Sequence, residues 1–578
     1  MDSKHVTEST SGQEDIQKTW WKEAIIYQIY PRSFQDSDGD GIGDLNGITS
    51  RLDYIQSLGV DIIWLNPIFL SPNDDNGYDI SDYREIMREF GTMEDFDRLL
   101  KEIHKREMRL VLDLVVNHTS DEHPWFEEAR KSRHNPYYNY YHWWPAEKGE
   151  PPLRLSYFDE EGNAWMYNKS TDSYYLHYFS RKQPDLNWEN PEVRQEIFDM
   201  MRFWFDKGID GFRMDSISLI AKDPSFPLID SKKYPDIFSF YAKEPRLHLY
   251  LHEMNRQVLS IYDCMSVGEG SAVMVDDVAK FVDPAREELN MLYHFDAARI
   301  RNTTLPDNPE SGIDYSLIAL KKMFTEWDKA VDKGWPSIYL GNHDQPRMVS
   351  RFGSDKDEFR ALSAKMLITF LLTMRGTPYW FAGDEIGMRN IRFDRIEDYN
   401  DIDTINRYKK AKAEGKDPQA VLDEQKETGR DNARTPFQWD RSPEAGFTAG
   451  TPWLKVNPDY TWINVADEEK DPTSILNYFK KVVSFRKENP SLIYGSYHLL
   501  DAENPQCYIF LRKTGADTYL IMLNFSPKAA ISTPGIDMSN AHVLLDNYGD
   551  RSHMAPQKDI TLRPFEAIVF QLNHPVYE

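Results

Sequence analysis

The sequence has 578 residues, of which 94 are Asp or Glu and 68 are Lys or Arg, so that its formal charge is −26. A chain this acidic is a poor candidate for binding nucleic acid or an anionic membrane, since both carry negative charge. It contains two cysteines, Cys264 and Cys507, and no run of about 18 apolar residues. These features argue against a disulfide framework and a transmembrane helix, and we expect a cytoplasmic monomer.

From Glu23 onward, short apolar runs alternate with segments of helical period. The helical period is clearest over Met93–Lys105, Val193–Lys207 and Glu358–Thr373. Strands separated by helices in this way are typical of a parallel (β/α)8 TIM barrel, whose reactive groups lie at the C-terminal ends of its strands. The runs that we predict to be its eight strands are Ile25–Tyr30, Ile62–Leu65, Leu110–Val116, Gly211–Asp215, Met265–Glu269, Leu289–Phe295, Ser337–Leu340 and Thr377–Phe381.

Three stretches interrupt or follow this alternation. Residues 119–188 are rich in Tyr, Trp, Pro and Gly, which predicts a small inserted domain after the third strand. Residues from about 391 to 427 form a charged and partly helical insert. Near the C-terminus the pattern alternates as in antiparallel strands. The predicted plan is a disordered leader (1–18), a barrel in two parts (19–118 and 189–494), the inserted domain (119–188) and a C-terminal β-sandwich (495–578).

The stretch Gly208–Ile217 carries the first candidate for chemistry. Arg213 and Asp215 lie two residues apart on one strand, so that alternation places both side chains on the same face. A neighbouring guanidinium favours the ionised form of the carboxyl group. An ionised aspartate at the end of a barrel strand is what nucleophilic attack on the anomeric carbon of a sugar needs. Taken alone, the pair is better interpreted as a structural ion pair.

Polar side chains also end three other predicted strands. Glu269 ends the fifth strand, where burial and neighbouring anions can keep it protonated for general acid catalysis. Asp344 follows the seventh strand next to His343, and Asp113 and His118 frame the end of the third. Each alone is more typical of a structural charge or a buried histidine. Together they predict glycosyl transfer with retention, which needs a nucleophile, an acid/base and an acid that stabilises an oxocarbenium-like state.

The segments around these positions resemble the signature regions of the α-amylase family, glycoside hydrolase family thirteen. Within that family, the chain is similar to the branch of oligo-1,6-glucosidases and α-glucosidases, and the resemblance spans nearly its whole length. Four matching segments occur in the order that the family has, and two more agree with the branch: Asp113–His118, Gly211–Asp215, Val267–Glu269, Asn342–Asp344, Gln183–Trp188 and Arg430–Trp439.

The resemblance implies a role for each matching residue. Asp215 would be the nucleophile, Glu269 the acid/base and Asp344 the transition-state stabiliser. It implies removal of one terminal glucose from a short oligosaccharide, in a pocket closed at the non-reducing end by the inserted domain and the segment at Arg430. No organic cofactor is expected. The residues that would hold the sugar are Asp75, Tyr78, His118, Arg213, His343 and Arg430, with Phe179 stacking on the ring and Ser216 beside the nucleophile.

An acidic loop, Asp36–Asp44, has the spacing of the first part of an EF-hand, with aspartates at positions 1, 3, 5 and 9 and glycine at position 6. Position 12 is Gly47 rather than Glu, and no helix pair flanks the loop, which argues against a true EF-hand. A solvated acidic turn is the alternative. Because clustered carboxylates repel one another without a cation, and related glucosidases hold calcium at a matching loop, we predict a structural Ca²⁺ site remote from catalysis, with the ligands Asp36, Asp38, Asp40, the carbonyl of Ile42, and Asp44.

The residue after the predicted nucleophile leaves the preferred linkage open. In this branch, valine at the position of Ser216 accompanies a preference for α-1,6 bonds and threonine accompanies α-1,4 activity; serine is nearer to threonine. The following segment, Ile217–Lys222, instead resembles that of the α-1,6 enzymes. Isomaltose-type and maltose-type substrates are therefore both compatible with the sequence.

Two further hypotheses differ in kind. Related sucrose isomerases carry a phenylalanine just beyond the acid/base, whereas this chain has Gly270–Ser271 at that place. They also carry an Arg-x-Asp-Arg pattern in the loop before the seventh strand, and the corresponding loop of this chain, Arg299–Pro306, lacks it. Arg392–Arg395 has the loop pattern, but it follows the eighth strand. A non-catalytic relative, such as the heavy chains of amino-acid transporters, would lack acidic residues and carry a membrane anchor. Hydrolysis is therefore the favoured hypothesis.

Overall fold

The computed structural model describes residues 18–158, 162–230, 232–234, 238–515, 517–551 and 558–572, and the structural statements below concern these residues. The predicted disordered leader lies outside them, apart from Lys18. In the described part of the chain, no helix is both long and apolar enough to cross a membrane.

Eight parallel strands form the central sheet: β1 (Ile26–Ile29), β2 (Ile62–Leu65), β3 (Arg109–Val115), β4 (Gly211–Asp215), β5 (Met265–Glu269), β6 (Met291–Tyr293), β7 (Ser337–Ile338) and β8 (Thr377–Phe381). Each strand from β1 to β5 pairs with the next, and β8 pairs with both β1 and β7. Between β6 and β7, the Ser337 hydroxyl donates a hydrogen bond of 2.9 Å to the Leu292 carbonyl. The predicted (β/α)8 barrel is therefore confirmed.

The strand bounds agree with the prediction at β2, β4, β5 and β8 and differ elsewhere. The observed β6 has three residues, whereas the apolar run predicted a longer strand. Asn290 lies before it and uses its side chain to accept a hydrogen bond from the Ser266 amide at 2.8 Å. After it, the chain turns into a helix that begins at Asp296. Apolar runs thus continue beyond the hydrogen-bonded ladder.

Alternation along the strands separates two cores. Met265 and Val267 of β5 point into the barrel, where they pack with Met291 and Tyr293 of β6. The opposite faces of the strands pack against the surrounding helices. The register pairs Arg213 with Val267, so that Arg213 lies on the inward face. The interior of the barrel is therefore apolar towards the N-terminal ends of the strands and polar at their C-terminal ends.

Several helices around the barrel begin at residues whose side chains cap them. Thr92 and Asp95 form a capping box at the start of Met93–Lys105, and the predicted helices are confirmed to within two residues. The α-helices of the described residues are Trp20–Glu23, Leu45–Ser50, Leu52–Ser57, Met93–Lys105, Pro124–Ala129, Pro191–Lys207, Phe238–Tyr241, Arg246–Gln257, Ala279–Val282, Asp296–Thr303, Leu317–Ala330, Met348–Phe352, Arg360–Thr373, Ile402–Ala413, Pro418–Thr428, Asp431–Arg434, Val465–Glu468, Ile475–Glu488 and Pro490–Tyr494.

The residues between β3 and β4 form a small inserted subdomain, built on a short helix and a three-stranded antiparallel sheet. A second segment after β4, which comprises the described residues 221–230, 232–234 and 238–245, packs against it and was not predicted from the sequence. There, the Leu155 amide donates to the Tyr241 hydroxyl at 2.8 Å and Arg154 donates to the Pro227 carbonyl at 2.8 Å. The strands of the inserted sheet are Trp143–Pro145, Trp165–Asn168 and Ser173–Leu176.

Two additions follow β8. The charged insert contains the helices Ile402–Ala413 and Pro418–Thr428. The C-terminal region is antiparallel, with a five-stranded sheet that packs on a two-stranded sheet, Ala530–Ser532 with Ile560–Leu562. The strands of the larger sheet are Ser496–Leu500, Cys507–Thr514, Asp517–Asn524, Ala567–Leu572 and Ala541–Asp546 in spatial order, and a separate short pair, Phe69–Leu70 and Asp82–Ile86, lies after β2.

Candidate active site

Arg213 is the centre of a charge network at the C-terminal ends of β3, β4 and β5. Its Nη1 donates to Asp215 Oδ1 at 2.8 Å and to Asp113 Oδ1 at 2.5 Å. Its Nη2 donates to Glu269 Oε2, and its Nε donates to the Tyr293 hydroxyl at 2.8 Å. The guanidinium is completely buried. One arginine therefore holds three carboxyl groups from three neighbouring strands.

Burial separates the protonation states of Asp215 and Glu269. It raises the pKa of Asp215 to about 6, although Arg213 opposes the rise. It also raises the pKa of Glu269 to about 8; Arg213 opposes this rise too, while the neighbouring Asp215 and Asp344 carboxylates add to it. Near pH 7, one carboxyl group is therefore ionised while its neighbour is protonated, which is the pairing that a nucleophile and an acid need.

Two further arginines, Arg430 and Arg434, hold Asp344. Arg434 Nη2 donates to Asp344 Oδ1 at 3.0 Å, and Arg430 Nη1 donates to the same oxygen at 3.3 Å. Burial opposes ionisation of Asp344, but His343 and the two arginines hold its pKa well below the usual range. Burial lowers the pKa of His343 to about 3, so that this ring carries a positive charge only in strong acid. Near pH 7 the His343 ring is neutral, and the two arginines supply the positive charge beside Asp344.

Arg430 links the two insertions to the barrel. Its Nε donates to Asp401 Oδ1 at 2.6 Å, and its Nη2 donates to Asp75 Oδ1 at 3.4 Å. Asp401 in turn caps the helix Ile402–Ala413 by accepting from the Thr404 amide at 3.0 Å. Burial raises the pKa of Asp75 to about 7, against the effect of Arg430. The position of Arg430 therefore depends on a helix that lies outside the barrel.

The predicted sugar-holding residues Tyr78 and His118 lie next to these groups. The Tyr78 hydroxyl is 2.7 Å from His343 Nε2, and the two rings stack with centroids 5.3 Å apart. His118 Nε2 is 3.0 Å from the Tyr78 carbonyl oxygen. Gln183 Nε2 donates to Asp75 Oδ2 at 3.3 Å. Burial lowers the pKa of His118 to about 3, so that both histidines are neutral and can exchange hydrogen bonds with hydroxyl groups.

A cavity of about 350 Å³ opens over this network. Tyr157, Phe158 and Phe179 of the inserted subdomain form its aromatic wall, with the rings of Tyr157 and Phe179 stacked 5.1 Å apart. Ser216 has a φ of 43°, a left-handed conformation directly after Asp215. Arg213 and His343 lie behind the surface, and the predicted site residues that line the cavity are Asp75, Tyr78, His118, Phe179, Asp215, Ser216, Glu269, Asp344 and Arg430.

Comparison of the sequence with models of known protein families identifies the family of this chain. Residues 28–495 match the model of the alpha-amylase catalytic domain. The chain belongs to the alpha-amylase family. By that membership it is a glycoside hydrolase, and the barrel with its polar strand ends is the catalytic domain of the family.

Individual alpha-amylase family members resemble the chain over nearly its full length. The oligo-1,6-glucosidase of Parageobacillus thermoglucosidasius is 51% identical over 571 residues, which are 97% of this chain and 100% of that relative. A solved structure of a variant of the trehalulose synthase MutB has a TM-score of 0.91 at 42% identity, covering 96% of this chain and 100% of the other. The isomaltulose synthase SmuA from Protaminobacter rubrum has the same four values.

Three residues of this alpha-amylase family site were not singled out from the sequence. Tyr293 ends β6, and the rule that polar groups gather at strand ends would have found it. Arg434 lies four residues after Arg430, at the end of the short helix Asp431–Arg434, so that helical spacing was the available signal. Asp401 is one of many acidic residues in a charged insert, and nothing in the sequence distinguishes it.

The acidic loop brings together three of its five predicted ligands. One carboxylate oxygen each of Asp36, Asp38 and Asp40 lies within 4.8 Å of the other two. Asp44 instead accepts a hydrogen bond from the Gly47 amide at 2.7 Å and caps a helix. Burial, together with the neighbouring carboxylates, raises the pKa of Asp40. Three converging carboxylates suit a hard cation.

Proposed function

We propose that the protein is a retaining, exo-acting α-glucosidase that removes terminal α-linked glucose from short oligosaccharides. The observation that carries this proposal is the pair Asp215 and Glu269, which share the Arg213 guanidinium and have pKa values of about 6 and about 8. An ionised nucleophile beside a protonated acid is the state from which retaining hydrolysis begins.

The reaction takes two steps. Asp215 attacks the anomeric carbon while Glu269 gives its proton to the glycosidic oxygen, so that the leaving sugar departs and a covalent glucosyl-enzyme forms. Glu269, now ionised, then takes a proton from water, and the water oxygen displaces Asp215 from the anomeric carbon. Two inversions retain the α configuration. One water is consumed, and both carboxyl groups return to their starting states.

Asp344 has the third role. Positive charge develops at the anomeric carbon in both transition states, and a carboxylate that stays ionised over the working pH range can stabilise it. Arg430 and Arg434 keep Asp344 ionised. The neutral rings of His118 and His343, together with Asp75 and Tyr78, are placed to hydrogen-bond the hydroxyl groups of the bound glucose.

A contact between the two insertions supports exo action. Asn406 Nδ2 donates to the Phe158 carbonyl at 2.7 Å, and the Arg430 guanidinium lies 5.0 Å from the centroid of the Phe158 ring. The inserted subdomain and the helical insert therefore meet beside Arg430, on the side of the predicted sugar-holding residues. We infer that this wall closes the cavity beyond a single glucose on the non-reducing side of the bond that is cleaved.

For the linkage, we infer a preference for isomaltose and isomalto-oligosaccharides over maltose. The full-length similarity to an oligo-1,6-glucosidase at 51% identity supports this inference. It implies that Ser216 serves α-1,6 cleavage even though its size is nearer to that of threonine.

A sucrose isomerase is the second candidate, because the two solved structures named above, each with a TM-score of 0.91, are a trehalulose synthase and an isomaltulose synthase. The residues after the acid/base favour hydrolysis. A Cβ on Gly270 would lie 2.8 Å from the Leu292 side chain and 3.0 Å from the Tyr293 carbonyl, so that a phenylalanine has no space there. Ser271 is engaged with Glu269, to which its hydroxyl donates at 2.8 Å.

We also propose that Asp36, Asp38 and Asp40 hold a structural Ca²⁺, with the carbonyl of Ile42 completing the ligand set and Asp44 orienting the loop. The ion would neutralise the repulsion among the carboxylates and takes no part in catalysis. We further propose that the protein works in the cytoplasm, since Cys264 and Cys507 are both unpaired thiols. We also propose that it is a monomer. Light scattering at working concentration tests the monomer.

The experiment that tests the main proposal measures kcat/KM for isomaltose, maltose and sucrose, with the products followed by NMR from the first turnovers. We expect isomaltose to be the best substrate and α-glucose to appear before the β anomer. A preference for maltose would make the protein an α-1,4-glucosidase. Rearranged disaccharides as the main products from sucrose would favour the isomerase, and initial release of β-glucose would contradict the double displacement.

A further inference from the structure

Gln345 follows Asp344 and lines the cavity. Arg351 holds its side-chain amide, because Nη1 of Arg351 donates to Gln345 Oε1 at 2.5 Å. Arginine has donors and no acceptor, so that this contact sets which end of the amide faces Arg351. The Oε1 atom of Gln345 is thus occupied by Arg351. Among the described residues, no acceptor is hydrogen-bonded to Nε2 of Gln345. The free end of the amide is therefore a donor.

The burial of Arg351 is energetically costly. The residue is 5% exposed, and its Nε and Nη2 have no hydrogen-bond partner among the described residues. Burial lowers its pKa to about 10, which leaves it a cation near neutral pH. A buried guanidinium with unpaired nitrogens costs free energy. Its single side-chain acceptor in the described residues is Gln345.

Gln345 and Glu269 line the same cavity, and a chain of neighbouring side chains leads from Arg351 to this acid. Arg351 is close enough to Tyr339 to interact with it electrostatically. The Tyr339 ring packs edge-on against the Tyr293 ring, with centroids 5.5 Å apart. The Tyr293 hydroxyl donates to Glu269 Oε2 at 3.3 Å. Because Glu269 gives its proton to the leaving oxygen, the leaving sugar must lie next to Glu269, in the cavity that Gln345 also lines.

We propose that Gln345 is a specificity-determining residue that donates hydrogen bonds from Nε2 to a hydroxyl or ring oxygen of the leaving sugar, and that Arg351 is the positioning residue that fixes the orientation of the amide. The inference rests on the proposed function, since a leaving sugar is bound here only if the cavity cleaves glucosides. Beyond that function, the leaving sugar would be recognised by a hydrogen-bond donor, Gln345 Nε2, whose direction Arg351 fixes.

The test compares isomaltose with p-nitrophenyl α-glucoside, whose leaving group has no sugar hydroxyl. Gln345→Glu keeps an oxygen for Arg351 and removes the amide donors. We expect its kcat/KM for isomaltose to fall roughly 3- to 10-fold, mostly through KM, while the aryl glucoside changes by less than about twofold. Arg351→Met frees the amide to rotate, and we expect the same pattern with a loss of roughly threefold.

The matched control is Gln419→Glu, which makes the same change at an exposed position of the helical insert and is expected to leave both substrates unaffected. Thermal denaturation shows whether each variant folds, and Gln345→Glu decides the matter if Arg351→Met does not fold. An equal loss on both substrates, or an unchanged kcat/KM for isomaltose, would overturn the inference. A wild-type protein inactive on both glucosides would overturn the proposed function itself, and this outcome is visible without any variant.

Discussion

Arg512, in the C-terminal sheet, donates a hydrogen bond of 2.6 Å to the backbone carbonyl of Thr373, the last residue of a barrel helix. The same guanidinium donates to the carbonyl groups of Leu492 and Gly495, each at 2.7 Å. Carbonyl groups at the end of a helix have no partner within the helix. A single side chain of the C-terminal region therefore caps a helix of the catalytic barrel.

Replacing this arginine should destabilise the whole protein. Arg512→Met leaves several buried carbonyl groups without a donor, and we expect the free energy of unfolding to fall by about 3 kcal/mol. The control is Arg441→Met, because the Arg441 side chain is 67% exposed and pairs with Asp467, so that the loss should be below about 1 kcal/mol. Denaturant unfolding measures both. Equal stability of the two variants would show that Arg512 has no capping role.

Asp215→Asn tests the nucleophile. The amide keeps the shape of the side chain but cannot form the glucosyl-enzyme, and we expect kcat for p-nitrophenyl α-glucoside to fall by ~10⁴-fold or more. The melting temperature should stay close to that of the wild type or rise, since one buried negative charge is removed. Turnover near the wild-type rate would exclude Asp215 as the nucleophile.

The pH dependence follows from the two shifted carboxyl groups. Activity needs Asp215 ionised, so that kcat/KM should rise with pH through about 6. It needs Glu269 protonated, so that kcat/KM should fall above about 8. The expected profile is a bell whose two limbs belong to the coupled pair.

A variant assigns the alkaline limb of this profile. The Ser271 hydroxyl donates to Glu269 Oε1 and so favours the ionised form. Ser271→Ala should therefore raise the pKa of Glu269 and move the alkaline limb to higher pH, while the acid limb stays in place. An alkaline limb that does not move, or an acid limb that moves instead, would contradict the assignment of Glu269 as the acid.

Asp401→Asn tests whether the helical insert positions Arg430. The change weakens an ion pair that the structure places at 2.6 Å, and a misplaced Arg430 should lower kcat/KM for isomaltose by roughly 10- to 100-fold. Asp417→Asn is the matched control, because Asp417 caps the second helix of the same insert and is not one of the described residues that line the cavity. Similar losses in both variants would mean that the insert matters only for folding.

Removal of divalent cations tests the acidic loop. If Ca²⁺ binds the folded protein, it stabilises by about 2.7 kcal/mol at 100 times its Kd, so that chelation should lower the melting temperature and added Ca²⁺ should restore it. Asp38→Asn should reduce this response, whereas Asp332→Asn, at an exposed position elsewhere, should not. A melting temperature independent of Ca²⁺ would favour the solvated acidic turn. Activity measured at a temperature well below melting should change little in either case.

The barrel and its reactive strand ends were predictable because their signals are local. Alternation over five residues places Arg213 and Asp215 on one face, and the register then brings Asp113 to the same arginine. The order of apolar runs and helices determines that the C-terminal ends of all eight strands meet at one rim. Motif resemblance then implied the roles of Asp215, Glu269 and Asp344 in catalysis.

Contacts between distant segments were decided only by the tertiary structure. Arg430 reaches Asp75 across 355 positions of sequence, next to the contact between the inserted subdomain and the helical insert. The pKa values of Asp215 and Glu269 depend chiefly on burial, which no spacing of residues reveals. The fixed amide of Gln345 likewise depends on a buried arginine whose other nitrogens are unpaired. Local patterning determines which residues face the cavity, whereas long-range packing determines their charge and orientation, because the local dielectric and hydrogen-bond partners exist only after the chain has folded.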